Sequence, residues 1–111
     1  MMELSISDHE YFMAEAIKEA KLAEEENEIP VGAILVRDKQ IVLREHNRTK
    51  QLANPLAHAE KLIIDKMMAS EAVFLYDYTL YVSLEPCLMC AGMIIWSRVG
   101  TVVWGASDPK A

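Results

Sequence analysis

The first part of the chain changes from a helical to a strand-like spacing of apolar side chains. Between positions 7 and 26 the apolar residues recur every three or four positions, which predicts an amphipathic helix. Ser7 and Glu10 have the Ser-x-x-Glu spacing of a capping box, so we expect the helix to begin there. Four glutamates, at positions 24, 25, 26 and 28, form a charge run that we interpret as a solvated face and helix end.

Short apolar runs then alternate with helical segments. Residues 29–36 are almost continuously apolar and residues 41–45 follow a polar turn, which predicts a hairpin of two strands. A polar loop at 47–55 precedes a predicted helix at 57–70, a strand at 79–84, a helix at 88–97 and a strand at 101–104. Strands separated by crossover helices indicate a partly parallel sheet with helices on its faces. We therefore predict an α/β protein, a three-layer α/β/α sandwich around a mixed sheet of about four strands.

Composition narrows the class of protein. The chain has 111 residues, of which 52% are hydrophobic and 25% charged, as is ordinary for one globular domain. Its net charge of −6 excludes a bulk basic nucleic-acid binder but leaves room for a local basic patch. The longest strongly apolar stretch, residues 88–96, is too short for a membrane span, and the N-terminus has no signal-peptide pattern. We expect a cytoplasmic protein that does not enter a membrane.

Three residues offer the ligand atoms that zinc prefers: His58, Cys87 and Cys90. One imidazole and two thiolates suit Zn²⁺, which takes nitrogen and sulfur ligands in a tetrahedral shell. A closed structural site needs four protein ligands, and the chain has no third cysteine. His9 and His46 lack ligand-like spacing and are expected to be surface or capping histidines. Three protein ligands with an open fourth position are typical of a catalytic zinc site.

Glu60 lies two residues after His58, in the first turn of the predicted helix. A carboxylate at this position can hydrogen-bond a zinc-held water without ligating the ion, and can accept and return its proton. The alternative is that Glu60 only stabilises the helix start. Beside a zinc site with an open position, we favour the catalytic interpretation.

Two motifs and several further segments carry a family resemblance. His58-Ala59-Glu60 and Pro86-Cys87-Leu88-Met89-Cys90 are the His-x-Glu and Pro-Cys-x-x-Cys signature of the zinc nucleobase deaminases. Over nearly its whole length the chain resembles the bacterial tRNA-specific adenosine deaminases of the zinc-dependent cytidine/deoxycytidylate deaminase superfamily. The segments that carry this likeness are 30–33, 46–48, 79–82, 91–94, 97–98 and 105–110.

The resemblance implies a cytidine-deaminase-like fold and a reaction. The reaction is hydrolytic conversion of adenosine to inosine at the wobble position of a tRNA anticodon loop. His58, Cys87 and Cys90 would hold zinc, and Glu60 would shuttle protons to and from the zinc-activated water that attacks carbon 6 of adenine.

The resemblance also implies substrate contacts and an assembly. Asn47 would hydrogen-bond the base, the backbone N–H of Ala59 would help to orient it, and Asp108 would contact the substrate ribose. Family members form homodimers, and the predicted helix at 88–97 is apolar nearly all round, which is compatible with an interface.

The chain stops soon after its fourth predicted strand, whereas the proteins it resembles usually continue. We therefore expect residues 1–111 to form a single zinc-dependent deaminase domain that is short at its C-terminus. Two other functions remain open at this point. One is a deaminase of a free base or nucleotide, such as cytosine, dCMP or guanine. The other is a catalytically silent zinc-binding fragment.

Overall fold

Three helices and four strands follow one another in the computed structural model, which describes residues 3–71 and 74–109. Every predicted element is present, and the bounds of β3 match those predicted. The elements are α1 (Ile6–Glu25), β1 (Gly32–Arg37), β2 (Gln40–His46), α2 (Ala59–Ala69), β3 (Thr79–Leu84), α3 (Leu88–Trp96) and β4 (Thr101–Ala106).

The strands form one mixed sheet in the order β2-β1-β3-β4. β1 pairs antiparallel with both β2 and β3, and β3 pairs parallel with β4. Because β2 and β3 are both antiparallel to β1, the C-terminal ends of β2, β3 and β4 lie at the same edge of the sheet. In α/β proteins this edge is where ligands bind.

Alternate side chains of β1 point to opposite faces of the sheet and build two cores. Ala33 and Leu35 pack with α2 and α3, while Ile34 and Val36 pack with α1. All four side chains are buried, which explains why this strand has a continuous apolar sequence. The three-layer α/β/α prediction is therefore confirmed.

The predicted start of α1 is wrong, because the helix begins two residues earlier than the expected capping box. Ser5, not Ser7, is the N-cap, and its hydroxyl accepts a hydrogen bond from the backbone N–H of Asp8 at 3.1 Å. The Asp8 carboxylate in turn accepts from the Ser5 backbone N–H at 2.9 Å. The sequence holds two overlapping Ser-x-x-acid patterns, and the earlier one adds two residues to the helix.

One face of α3 has no covering element within the described chain. Cys90 and Ile94 are buried, whereas Leu88, Ile95 and Trp96 are 85%, 63% and 77% exposed. In the described ranges, no helix is long and apolar enough to cross a membrane.

Candidate metal centre and active site

Two helix N-termini bring the three predicted metal ligands together. His58 is the N-cap of α2, Cys87 is the N-cap of α3, and Cys90 lies in the first turn of α3. The Nδ1 atom of His58 is 3.6 Å from the Sγ atom of each cysteine, and the three ligand atoms lie within 4.8 Å of one another. Helix N-termini favour thiolate over thiol because they carry partial positive charge.

These distances fit a tetrahedral zinc ion. Zn–N and Zn–S bonds of about 2.0–2.1 and 2.3 Å that meet at a tetrahedral angle place the ligand atoms about 3.6 Å apart. The observed separation between His58 and each cysteine is 3.6 Å. Within the described residues, the cluster contains three side chains that could bind a metal ion. Three protein ligands leave the fourth position of a tetrahedral zinc ion open.

A cation in the site would offset the cost of ionising its buried thiol and carboxyl groups. Burial, followed by the neighbouring charges of Glu60 and Cys87, raises the pKa of the Cys90 thiol. Burial likewise raises the pKa of the Glu60 carboxyl, which is 3% exposed. A divalent cation among these groups reverses both tendencies, because it favours thiolate and carboxylate.

The sheet topology places the remaining predicted residues beside the metal ligands. Asn47 follows β2, Cys87 follows β3 and Asp108 follows β4, all at the same sheet edge. These three residues, with His58 and Glu60, line one cavity of about 150 Å³. The other residues that line the cavity are Ile29, Val31, Leu84 and Glu85.

Asn47 is fixed by two hydrogen bonds. Its Oδ1 accepts from the backbone N–H of Ala59 at 2.9 Å, and its own backbone N–H donates to the Val31 carbonyl at 3.1 Å. The Ala59 N–H therefore orients the amide of Asn47, and the Nδ2 donor of that amide is the group left for a ligand in the cavity.

Glu85 is a cavity residue that the sequence interpretation missed. Its Oε1 accepts a hydrogen bond from the backbone N–H of Asp108 at 3.1 Å, and its backbone N–H donates to the Ala106 carbonyl at 2.8 Å. Glu85 thus attaches the segment after β4 to the end of β3. The only sequence signal for it was its place between a strand and Pro86.

Two predictions about polar residues outside the cavity are wrong. Glu28 was expected on a solvated face, but it is 5% exposed and accepts hydrogen bonds from the backbone N–H groups of Lys50 and Gln51. His46 was expected to be a surface or capping histidine and is 3% exposed. His9 contacts Tyr81 through a 2.7 Å hydrogen bond.

The chain is similar to known zinc-dependent deaminases in sequence and in fold. Residues 6–106 match the family described as the cytidine and deoxycytidylate deaminase zinc-binding region. The chain is 49% identical over 106 residues to the tRNA-specific adenosine deaminase of Bacillus subtilis (strain 168). The aligned region covers 95% of this chain and 66% of that protein. The chain thus spans just under two thirds of the length of this relative.

Two solved structures share the fold. One, from a study of A-to-I editing by tRNA:A34 deaminases at the wobble position, matches with a TM-score of 0.85 and 42% identity, over 91% of this chain and 74% of that one. The other is a guanine deaminase from Bacillus subtilis, with a TM-score of 0.84 and 36% identity, over 89% and 64% of the two chains.

Proposed function

The chain belongs to the family of the cytidine and deoxycytidylate deaminase zinc-binding region, and from that premise we propose that it deaminates adenosine to inosine at the wobble position of tRNA. One observation carries the proposal. A buried glutamate shares a single cavity with metal ligands whose spacing suits tetrahedral zinc. The choice of an RNA adenosine is supported by the B. subtilis relative and by the structure of a tRNA:A34 deaminase.

We assign His58, Cys87 and Cys90 to the metal. When bound, zinc lowers the pKa of a coordinated water to about 7 and stabilises negative charge on oxygen. Each ligand sits in the first turn or at the cap of a helix, so the backbone holds it in place before metal arrives. That preorganisation favours a rigid, catalytic geometry.

Glu60 carries the proton transfers. Its carboxylate accepts a proton from the attacking water and gives one to the adenine ring nitrogen. It then accepts the second proton of the new hydroxyl group and delivers it to the leaving amine. The reaction consumes one water and releases ammonia, with inosine as the other product. Burial raises the pKa of Glu60, which brings a carboxyl closer to the working pH of a general acid–base group.

Asn47 and Asp108 are assigned to substrate contacts, and the Ala59 N–H helps to orient the base through its hydrogen bond to Asn47. The Asn47 amide donates to the base through Nδ2 while the Ala59 N–H holds its Oδ1. Asp108 lies at the cavity wall on the segment after β4, where it would meet the ribose of a nucleotide whose base has entered. An anticodon loop suits this cavity because its bases can leave the stack at small cost.

We also propose a homodimer in the cytoplasm. The exposed apolar side chains Leu88, Ile95 and Trp96 form one face of α3 that a second copy would cover. Two cysteine thiolates in a metal site suit a reducing compartment such as the cytoplasm. A tRNA substrate would be met in the same compartment. Light scattering should give a dimer for the unmodified chain and a monomer for Trp96→Lys, and an unmodified monomer would contradict this assembly.

A deaminase of a free base is the second candidate, because the guanine deaminase from B. subtilis has nearly the same fold similarity. The test incubates the zinc-loaded protein with an RNA stem-loop carrying adenosine at the wobble position. Parallel reactions contain the same loop with guanosine there, free guanine, cytosine, cytidine or dCMP. Inosine in the first reaction alone supports the proposal, and ammonia from a free base or nucleotide supports the alternative. Bound zinc without ammonia from any substrate indicates a catalytically silent zinc-binding domain.

A further inference from the structure

His46 connects the end of β2 to α1 through both of its ring nitrogens. Nδ1 lies 3.0 Å from Oε1 of Glu19, and Nε2 lies 2.7 Å from Oε1 of Glu26, the C-cap residue of α1. The histidine is 3% exposed, so water contributes little to these contacts. The last residue of the strand is therefore attached to two points of the neighbouring helix.

These two contacts differ in what they require of the ring. An ionised carboxylate only accepts hydrogen bonds, and a neutral imidazole has a single N–H donor. Only the imidazolium form of His46 donates to both Glu19 and Glu26. The hydrogen bond with His46 is the largest cause that lowers the pKa of Glu26.

Further polar and charged groups surround this pair of contacts. The backbone N–H of His46 donates to Oε1 of the buried Glu45 at 3.2 Å. On α1, Glu19 also accepts from Nη1 of Arg44 in β2 at 3.3 Å. Glu26 also accepts from Nε2 of Gln51 at 2.6 Å and lies 4.0 Å from Nη1 of Arg48. On the β1 side, the residue opposite His46 is Gly32, which carries no charge.

Asn47 follows His46 directly and depends on the position of the strand end. Its backbone donates to Val31, and its side chain accepts from Ala59 at the start of α2. A shift of His46 therefore moves the amide that lines the cavity. We propose that His46, held through both ring nitrogens between Glu19 and Glu26, is a positioning residue that fixes the Asn47 amide for the incoming base. This inference rests on the proposed function, in which Asn47 binds the base.

The activity test compares His46→Gln with His9→Gln in the zinc-loaded protein. A glutamine amide has one nitrogen donor and cannot serve two carboxylates on opposite sides. We expect KM for the stem-loop RNA to rise about 3- to 10-fold with kcat changed less than about 2-fold, because one ground-state contact is misplaced. His9→Gln, which loses a contact with Tyr81 on the α1 face, should leave KM unchanged. An unchanged KM in His46→Gln, or a fall in kcat alone, overturns the proposal, since a smaller folded fraction lowers kcat without moving KM.

Two measurements on the same proteins do not depend on turnover. Nitrogen NMR of the ring should show that both His46 nitrogens are hydrogen-bonded in the unmodified protein. The Ala59 amide hydrogen, which donates to Asn47, should exchange about 3- to 10-fold faster in His46→Gln than in the unmodified protein. A ring nitrogen without a hydrogen bond, or unchanged Ala59 exchange, refutes the positioning role. If the unmodified protein deaminates no RNA, the proposed function fails, while these two measurements still decide whether His46 holds Asn47.

Discussion

Replacing Glu60 with glutamine removes proton transfer and leaves the shape of the site intact. The amide has nearly the same size as the carboxyl but cannot take up a proton at neutral pH. Glu60 is 3% exposed, so the surrounding side chains keep their contacts with an isosteric replacement. Positioned acid–base groups accelerate reactions by about 10²–10⁴-fold. We therefore expect kcat to fall by that factor, which corresponds to about 2.7–5.4 kcal/mol of activation free energy.

The same variant should keep its zinc and its stability. Glu60 is outside the group of three ligand atoms, so about one zinc per chain should remain bound. Without metal, burial raises the pKa of Glu60, so the folded protein holds this charge at a free-energy cost. The uncharged amide avoids that cost, so we expect the metal-free variant to have a thermal unfolding midpoint no lower than that of the metal-free unmodified protein.

The assay measures inosine in the stem-loop RNA under saturating substrate, together with zinc by atomic emission. Glu25→Gln, an exposed position of α1, removes one glutamate in the same way and should retain full kcat. A proton shuttle accounts for a much larger factor in kcat than about 3-fold. If the zinc-loaded Glu60→Gln protein keeps kcat within about 3-fold of the unmodified value, Glu60 does not transfer the protons. Loss of zinc would instead place its carboxylate among the ligands.

Three further changes test the metal, the loop anchor and the helix–sheet contact. Cys87→Ala leaves one imidazole and one thiolate, so zinc content after dialysis should fall about 10-fold or more; retained zinc would remove Cys87 from the ligand set. Burial works against the charge of Glu28, yet hydrogen bonds from the 49–51 loop lower its pKa, so Glu28→Gln should be less stable at neutral pH in denaturant titrations. That difference should vanish as pH falls through the folded pKa, and a difference that persists in acid contradicts the argument. Gly32→Ala places a Cβ 2.2 Å from the Ala16 carbonyl of α1, so unfolding free energy should drop by about 1–3 kcal/mol, and an unchanged midpoint would show that α1 can move away.

The fold could be predicted because local patterns agree with long-range packing. β3 packs into the cores on both faces of the sheet, and its sequence bounds equal those in the structure. The apolar run at 29–36 predicted a buried strand, although the strand begins at Gly32, where close approach of α1 admits no side chain. The three metal ligands were predicted as a set because imidazole and thiolate are rare and chemically specific. Their convergence then followed from helix starts at one sheet edge.

The acidic residues of α1 could not be placed from the sequence. Glu15 and Glu19 lie on the buried side of the helix, where Arg44 of β2 donates hydrogen bonds to their carboxylates at 2.9 and 3.3 Å. Lys18, which pairs with Glu15 at 2.6 Å, lies one helical turn away, but Arg44 lies more than 20 residues away in the chain, so no helical or strand period reveals it. A glutamate on a helix has the same sequence pattern whether it faces water or pairs with a distant arginine.

The metal ligands and the residues of the cavity wall differ in what determines their positions. A metal ligand at a helix cap is specified by its own type and by the start of that helix, so it is readable from a short motif. The cavity wall is specified indirectly, because Asn47 depends on His46, and His46 depends on two carboxylates of α1. We therefore expect substitutions in α1, which is far from the cysteines in sequence, to change KM for the RNA. The affinity for zinc should not change. Measuring zinc content and KM on the same α1 variants separates these two dependences, and a parallel fall of both would show that the helix supports the metal as well.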